Sequence, residues 1–253
     1  MNDVIRDLAD AFDWRSIAVL RRNALVFSRT WKTAFLPPAL EPVIYFLAFG
    51  LGLGAHVGQL PTHGRAVPYA SWVAPGLLAY AAFSTPFFEA LYASYVRMFY
   101  QKIWDGILAT QVELRHIVWG EILWSGVRGM MNTAVVAIVL AIFHIAGLID
   151  IAWQWLPVLS IAACIVGWAF GALALIFTAI VPAIDHMNYP VFLIGVPIGV
   201  FSNTYFPFAT ENEILRALVA MNPVYHLAEL FRGVLVGRAF LPEHAIGLVA
   251  TWL

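Results

Sequence analysis

The chain has 253 residues, 62% of them hydrophobic and 11% charged, with a formal net charge of −1. Soluble domains carry about 25% charged residues, so this composition excludes an ordinary water-soluble fold and describes an all-α polytopic membrane protein. The balance has no basic tail and leaves no footprint for nucleic acid; the one cysteine, Cys164, lies in an apolar run and can close neither an internal disulfide nor, alone, a zinc site.

The N-terminus, MNDVIRDLAD, is polar and acidic. It lacks the basic start and apolar run of a cleavable signal peptide, so the first membrane helix is expected to act as its own insertion signal. In residues 11–32, Arg15, Arg22 and Arg29 recur at heptad spacing beside Arg21 and Lys32, while Phe12, Leu20, Phe27 and Trp31 occupy the other side. The pattern predicts an interfacial helix with basic side chains toward anionic headgroups; a solvated helix preceding a span gives the same spacing. A bilayer core of about 30 Å needs about 20 apolar residues as helix. Spans are predicted at 34–56, 71–95, 118–147, 152–182 and 189–206. In the first of these, Pro37, Pro38 and Pro42 are expected to kink the start of the helix. Gly50 and Gly54 form a GxxxG pair that permits close helix approach, either within one subunit or at a dimer seam.

Between spans two and three lies QKIWDGILATQ, residues 101–111. Ile103, Trp104, Ile107 and Leu108 fall on one stripe of a short helix, against Lys102, Asp105 and Gln111. A two-faced helix of this kind rests on lipid or fills a partner's groove. Residues 211–236 contain two short amphipathic patterns broken at Asn222-Pro223, expected to be re-entrant helices packed against protein. A sixth span starts at 241 and the sequence stops at 253; at 1.5 Å per residue it reaches only about 20 Å, a shortened span. No long internal repeat is visible, which argues against an inverted-repeat carrier. Lys and Arg concentrate before span one and again at Arg97, Lys102 and Arg115, placing the N-terminus and residues 96–117 in the cytoplasm. Arg216, Arg232 and Arg238 run against this pattern, in a long segment that also holds acids.

Glu41, near the inner end of span one, could snorkel to water, while Glu89 and Arg128 are the charges singled out inside spans. Each is costly in lipid unless partnered, and their depths in consecutive antiparallel spans predict an ion pair; a headgroup contact by Arg128 is the functional alternative. Enzymatic constellations are missing: there is no G-x-S-x-G, no H-E-x-x-H, no metal-ligand spacing among the seven histidines, and neither Lys32 nor Lys102 follows a glycine as a P-loop requires. Asp185-His186 is read first as a polar turn between spans four and five. Glu89, His144 and Asp185 are the candidate proton sites of an ion- or proton-coupled carrier, the alternative to an ATP-driven transporter.

Three stretches carry a resemblance. QKIWDGILATQ resembles the signature Q-R-x-W-[ED]-x-[ML]-L-x-[TS]-P of ABC-2 type exporter permeases. GVFSNTYFP, 199–207, resembles their G-x-x-F-P segment, and NPVYHLAELFRGVLVG, 222–237, their N-P-x-x-[HY]-x5-R-x4-G segment. The likeness covers residues 15–253 and is nearest to nodulation-type and lipo-oligosaccharide exporters. Gln111 stands where many members have proline, and Ser202-Asn203 replaces small glycines. The resemblance implies six spans and a homodimer. It also implies two copies of a separate ATPase subunit that binds ATP and Mg, no cofactor in this chain, and an amphiphilic cargo. In this reading 101–111 is a coupling helix, with Trp104, Ile107 and Leu108 as apolar anchors and Lys102, Asp105 and Gln111 as a polar rim.

Overall fold

The computed structural model describes residues 11–62, 64–207, 212–237 and 239–252, with the side chains of 33–39 and 42 outside the described set. The signal-peptide reading of residues 1–10 and the side chains of Pro37, Pro38 and Pro42 therefore fall outside it. The first helix, α1 (Trp14–Tyr45), is continuous, so the interfacial segment and the start of the first span are one rod with no break between 32 and 34. It runs on in π geometry over Phe46–Leu53 and closes with a turn at Gly54–Val57.

An antiparallel hairpin follows, β1 (Gln59–Thr62) with β2 (Arg65–Pro68), a small departure from the all-α expectation. Thr62 pairs with Arg65, and Gly64 in the two-residue turn has φ 78°, the handedness that matches the twist of paired strands.

Helix α2 (Tyr69–Phe88) is the centre of the molecule. Val73, Ala74, Leu77, Leu78, Ala81, Ala82 and Phe87 are fully buried around its whole circumference, the mark of a helix enclosed by others. It continues through π turns at Glu89–Ala93 and Val96–Tyr100. The short α3 (Ile103–Leu108) follows a left-handed Lys102, φ 53°. Helix α4 (Leu114–Ile145) begins in a capping box between Glu113 and His116. A turn at Trp153–Trp155 leads into α5 (Leu156–Ile180). By length and composition, Leu114–Ile145 and Trp153–Ile180 are the two helices among the described residues able to cross a membrane.

The predicted fifth span is shorter than expected. Its helical backbone covers Asn188–Pro190, Val191–Gly195 and α6 (Val196–Val200) and then stops. Beyond it, Asn203 is left-handed at φ 58°, Ser202 Oγ donates to Gly199 O at 2.6 Å, and Thr204 Oγ1 donates to Gly76 O at 3.3 Å. These side-chain bonds compete with the helix and turn the chain back onto α2. Helices α7 (Glu213–Ala220) and α8 (Pro223–Arg232) are each capped by an asparagine, Asn212 and Asn222, whose side-chain oxygens accept from the first-turn amides. A π turn at Gly233–Gly237 and α9 (Pro242–Ala250) complete the described chain. Helix α2 packs against α4, α5 and α8; α1 packs against α4, and α9 against α8.

Candidate functional site

Helix α3 sits in a corner made by α1, the π turn Val96–Tyr100 and α4. Trp104 is only 6% exposed and shares a small core with Val19 of α1 and Ile117 of α4, with Met98, Ile107 and Val112 packed around it. The corner is tight: a Cβ at Gly120 would lie 2.5 Å from Val19 Cβ and 2.9 Å from Ser16 O. This corrects the expected disposition of the stripe. Trp104 faces inward and pins α3 to the body, and Ile103 and Ile107 are half-buried. Leu108, 43% exposed, is the apolar residue left outward, with Lys102, Asp105, Gly106 and Gln111 around it. Lys102 Nζ and Asp105 Oδ2 stand 3.9 Å apart, well exposed, a pair worth little to stability.

Directly behind this corner lies a buried charge cluster. Glu89, in the first π turn after α2, accepts from Arg128 Nε at 3.2 Å through Oε2, and from Arg97 Nη1 at 3.2 Å and Trp124 Nε1 at 3.0 Å through Oε1. The structure thus brings together the two charges singled out in the spans. It adds a second pair that the spacing argument passed over. Arg97 donates to both oxygens of Glu121, at 3.0 and 2.5 Å, and Ser94 Oγ donates to Glu121 at 3.0 Å. The Arg128 guanidinium lies 4.4 Å over the ring of Phe27, which meets Trp124 edge-on at 5.7 Å, so α1 closes the cluster from the third side. Glu121 lies inside predicted span three, and a carboxylate in an apolar run was the signal that could have revealed it.

At the other end of α2, the two remaining signature segments meet. Arg232 is fully buried; it donates to Trp72 O at 3.1 Å and Asn203 O at 2.8 Å, pairs with Glu229, and stacks 4.0 Å over the Trp72 ring. Asn203 Nδ2 donates to Glu229 at 2.6 Å, and Asn222 Nδ2 donates to Ile198 O at 2.8 Å. Arg232, which the resemblance marks, and Asn203 and Thr204, which it does not, thus anchor helix α8 and the segment after α6 to α2.

Among the described residues, the nearest neighbour of a Cβ at Gly50 is Phe46 of its own helix at 3.0 Å, and that of a Cβ at Gly54 is Tyr69 at 3.7 Å. A close glycine contact with the same spacing lies between α4 and α5. A Cβ added at Gly126 would lie 2.6 Å from the Cys164 carbonyl oxygen, one at Gly167 2.8 Å from the Gly126 Cα, and one at Gly171 2.8 Å from the Ser125 Cβ. Gly167 and Gly171 have the same four-residue spacing as the pair chosen from sequence. Of the proton-site candidates, Glu89 is engaged by two arginines, His144 Nδ1 lies 3.2 Å from Ile149 O, and Asp185 and His186 are exposed. No group of three or more His, Cys, Asp or Glu side chains placed to hold a metal occurs among the described residues.

The family model for the ABC-2 type transporter matches residues 16–236. Nodulation protein J of Sinorhizobium fredii (strain NBRC 101917 / NGR234) is 30% identical over 225 residues, covering 89% of this chain and 82% of that protein. Nodulation protein J of Rhizobium meliloti (strain 1021) is 29% identical over 224 residues, 88% of this chain and 82% of the relative. The inner membrane transport permease YadH of Escherichia coli (strain K12) is 21% identical over 246 residues, 89% and 82% of the two chains. No solved structure matches. With the matched region running from α1 through α8, the chain belongs to the ABC-2 type transporter family, as an integral membrane transport subunit that is not itself catalytic.

Proposed function

We propose that this subunit is the permease of an ATP-driven exporter. It works as a homodimer with two copies of an ATP-binding cassette ATPase, which alone binds ATP and Mg. The cargo is an amphiphile, a lipo-oligosaccharide, lipid-linked glycan or hydrophobic drug, moved out of the cytoplasm or inner leaflet. The resemblance of the three signature stretches to nodulation-type and lipo-oligosaccharide exporters supports the first of these cargo classes. The distribution of Lys and Arg supports an inner-membrane protein with a cytoplasmic N-terminus, in keeping with a relative named as an inner membrane permease.

The observation that carries the reading is the mounting of α3. A six-residue helix with an exposed rim of Lys102, Asp105, Leu108 and Gln111 is fixed at its back by Trp104. A push on its rim passes to α1 and α4 through Val19 and Ile117, and from α4 to α2 through the buried ion pairs. Closure of the ATPase dimer would then shift the helices as a body rather than bend one loop. Against the alternative, an ion- or proton-coupled carrier, stands the engagement of Glu89, one of its three candidate proton sites, by two arginines.

A pull-down from solubilised native membranes tests this. Wild-type chain is expected to recover a P-loop ATPase, and Leu108→Asp and Lys102→Glu to lose it while keeping wild-type thermal stability. An intact, folded wild-type chain that recovers no ATPase, together with transport driven by a proton gradient in vesicles, would overturn the proposal.

A further inference from the structure

A cleft of about 430 Å³ opens between α1, the end of α2, α4 and Ile184 of the turn before α6. That volume is in the range of small-ligand sites. Its walls have two characters. Arg22, Asn23 and Thr30 of α1 meet Glu89, Arg97 and Gln101 on the polar side, and Val26, Phe27, Tyr92, Val96 and Trp124 form the apolar side. Asn23 is 4% exposed, and Arg22 Nη1 donates to its Oδ1 at 2.9 Å. A guanidinium only donates, so this bond fixes the amide orientation and leaves Nδ2 as the free end. Asn23 Nδ2 is buried and meets no acceptor among the described residues. A buried donor left this way is costly, and an acceptor in the cleft would satisfy it.

The charges ask for an anion at the same place. Around the cleft stand three guanidiniums, Arg22, Arg97 and Arg128, against two carboxylates, Glu89 and Glu121. Arg97 is consumed by both carboxylates and Arg128 by Glu89, which leaves the charge of Arg22 in surplus. Burial and the neighbouring Arg97 lower the Arg22 pKa, outweighing the attraction of Glu121. A phosphate beside Arg22 and Asn23 would accept from both and reverse that penalty. The cleft also leads outward. Arg22 and Val26 line a second groove of about 410 Å³ on the exposed face of α1, shared with Ala18, Arg21, Leu25 and Arg29.

We propose that this cleft holds the phosphate-bearing headgroup of an amphiphile drawn from the surrounding leaflet, with phosphate oxygens at Arg22 and Asn23 and the apolar chain along Val26, Tyr92 and Val96. The inference rests on the expected interfacial position of residues 11–32 and not on ATP coupling, so its failure leaves the pull-down result standing.

The test is native mass spectrometry of the full chain released from a non-ionic detergent and titrated with phosphatidylglycerol, a polyprenyl phosphate, or diacylglycerol of matched chains. One phosphate-bearing lipid per chain is expected, with about ten-fold preference over diacylglycerol, the worth of one charge-assisted hydrogen bond. Whichever phosphate lipid binds tighter identifies the source as bilayer lipid or lipid-linked cargo. Arg22→Gln and Asn23→Leu are each expected to lower binding about ten-fold, whereas Arg22→Lys retains most of it and Arg216→Gln, exposed on α7 and outside both grooves, leaves it unchanged. Ala93→Trp fills the cleft without removing a charge and is expected to block binding while elution volume and unfolding midpoint hold. Equal lipid retention in all variants overturns the proposal. So does full displacement of the lipid by inorganic phosphate, which would mark a free-anion site.

Discussion

Breaking the Glu89–Arg128 pair is expected to expose the charge balance of the buried cluster. Arg97, Arg128, Glu89 and Glu121 sum to zero, and the Arg128 and Glu121 side chains are 4% and 2% exposed. Glu89→Gln keeps the shape but leaves a net positive charge and two arginines facing an amide. Losing one partner of a buried pair costs about 3–5 kcal/mol, and Glu89 serves three donors, so a cost of about 4 kcal/mol is expected. Arg128→Gln leaves a net negative charge, but Arg97 still reaches Glu89 at 3.2 Å. Its cost falls at the lower end, about 3 kcal/mol, including the stacking on Phe27. The double variant restores neutrality and keeps the two-pronged Arg97–Glu121 pair. Contacting residues couple by about 0.5–3 kcal/mol, so the double change is expected to cost about 5 kcal/mol rather than the about 7 kcal/mol of independent sites. Unfolding by sodium dodecyl sulfate in mixed micelles, followed by far-ultraviolet circular dichroism, reads all four proteins on one scale. Strict additivity, or an Arg128→Gln protein as stable as wild type, would refute the reasoning.

Further outcomes can be read in the same assay. Gly126→Ala drives a methyl to 2.6 Å from the Cys164 carbonyl and is expected to cost about 1–3 kcal/mol, while Gly54→Ala, with its nearest neighbour at 3.7 Å, stays within about 0.5 kcal/mol. A dimer lost in Gly54→Ala without loss of monomer stability would place the seam there; a destabilised Gly54→Ala monomer would contradict the packing described. Arg232→Lys keeps the charge but not the fork that reaches Trp72 O, Asn203 O and Glu229, and about 3 kcal/mol of destabilisation is expected. Trp104→Ala empties the peg behind α3 and should cost about 3–5 kcal/mol, in contrast to Leu108→Asp at the exposed rim, which should leave stability within about 0.5 kcal/mol. Equal losses at Trp104 and Leu108 would mean that both residues face the same way.

Composition and periodicity settled the class of this protein, and three short stretches pointed to its family without any tertiary structure, because hydrophobicity and motif spacing are one-dimensional properties of the chain. The pairing of Glu89 with Arg128 was legible for a related reason. An isolated charge in lipid must find a partner, and depth along antiparallel helices narrows the choice. Other features depend on which face of each helix another helix covers. A stripe of Ile103, Trp104, Ile107 and Leu108 has two sides available, and only the packing of Val19 and Ile117 turned Trp104 inward and left Leu108 out. Likewise Gly50/Gly54 and Gly167/Gly171 are the same pattern, and the neighbour across α4 decided which of them is a tight contact. The fifth span ends early because Ser202, Asn203 and Thr204 find partners on their own turn, on α2 and on α8, some distant in sequence. Arg232, read as a cation running against the charge pattern, is instead sealed against Trp72 and Glu229. Local chemistry therefore determined what each segment is, while burial and pairing across the chain decided which side chains hold the body together and which remain available to a partner.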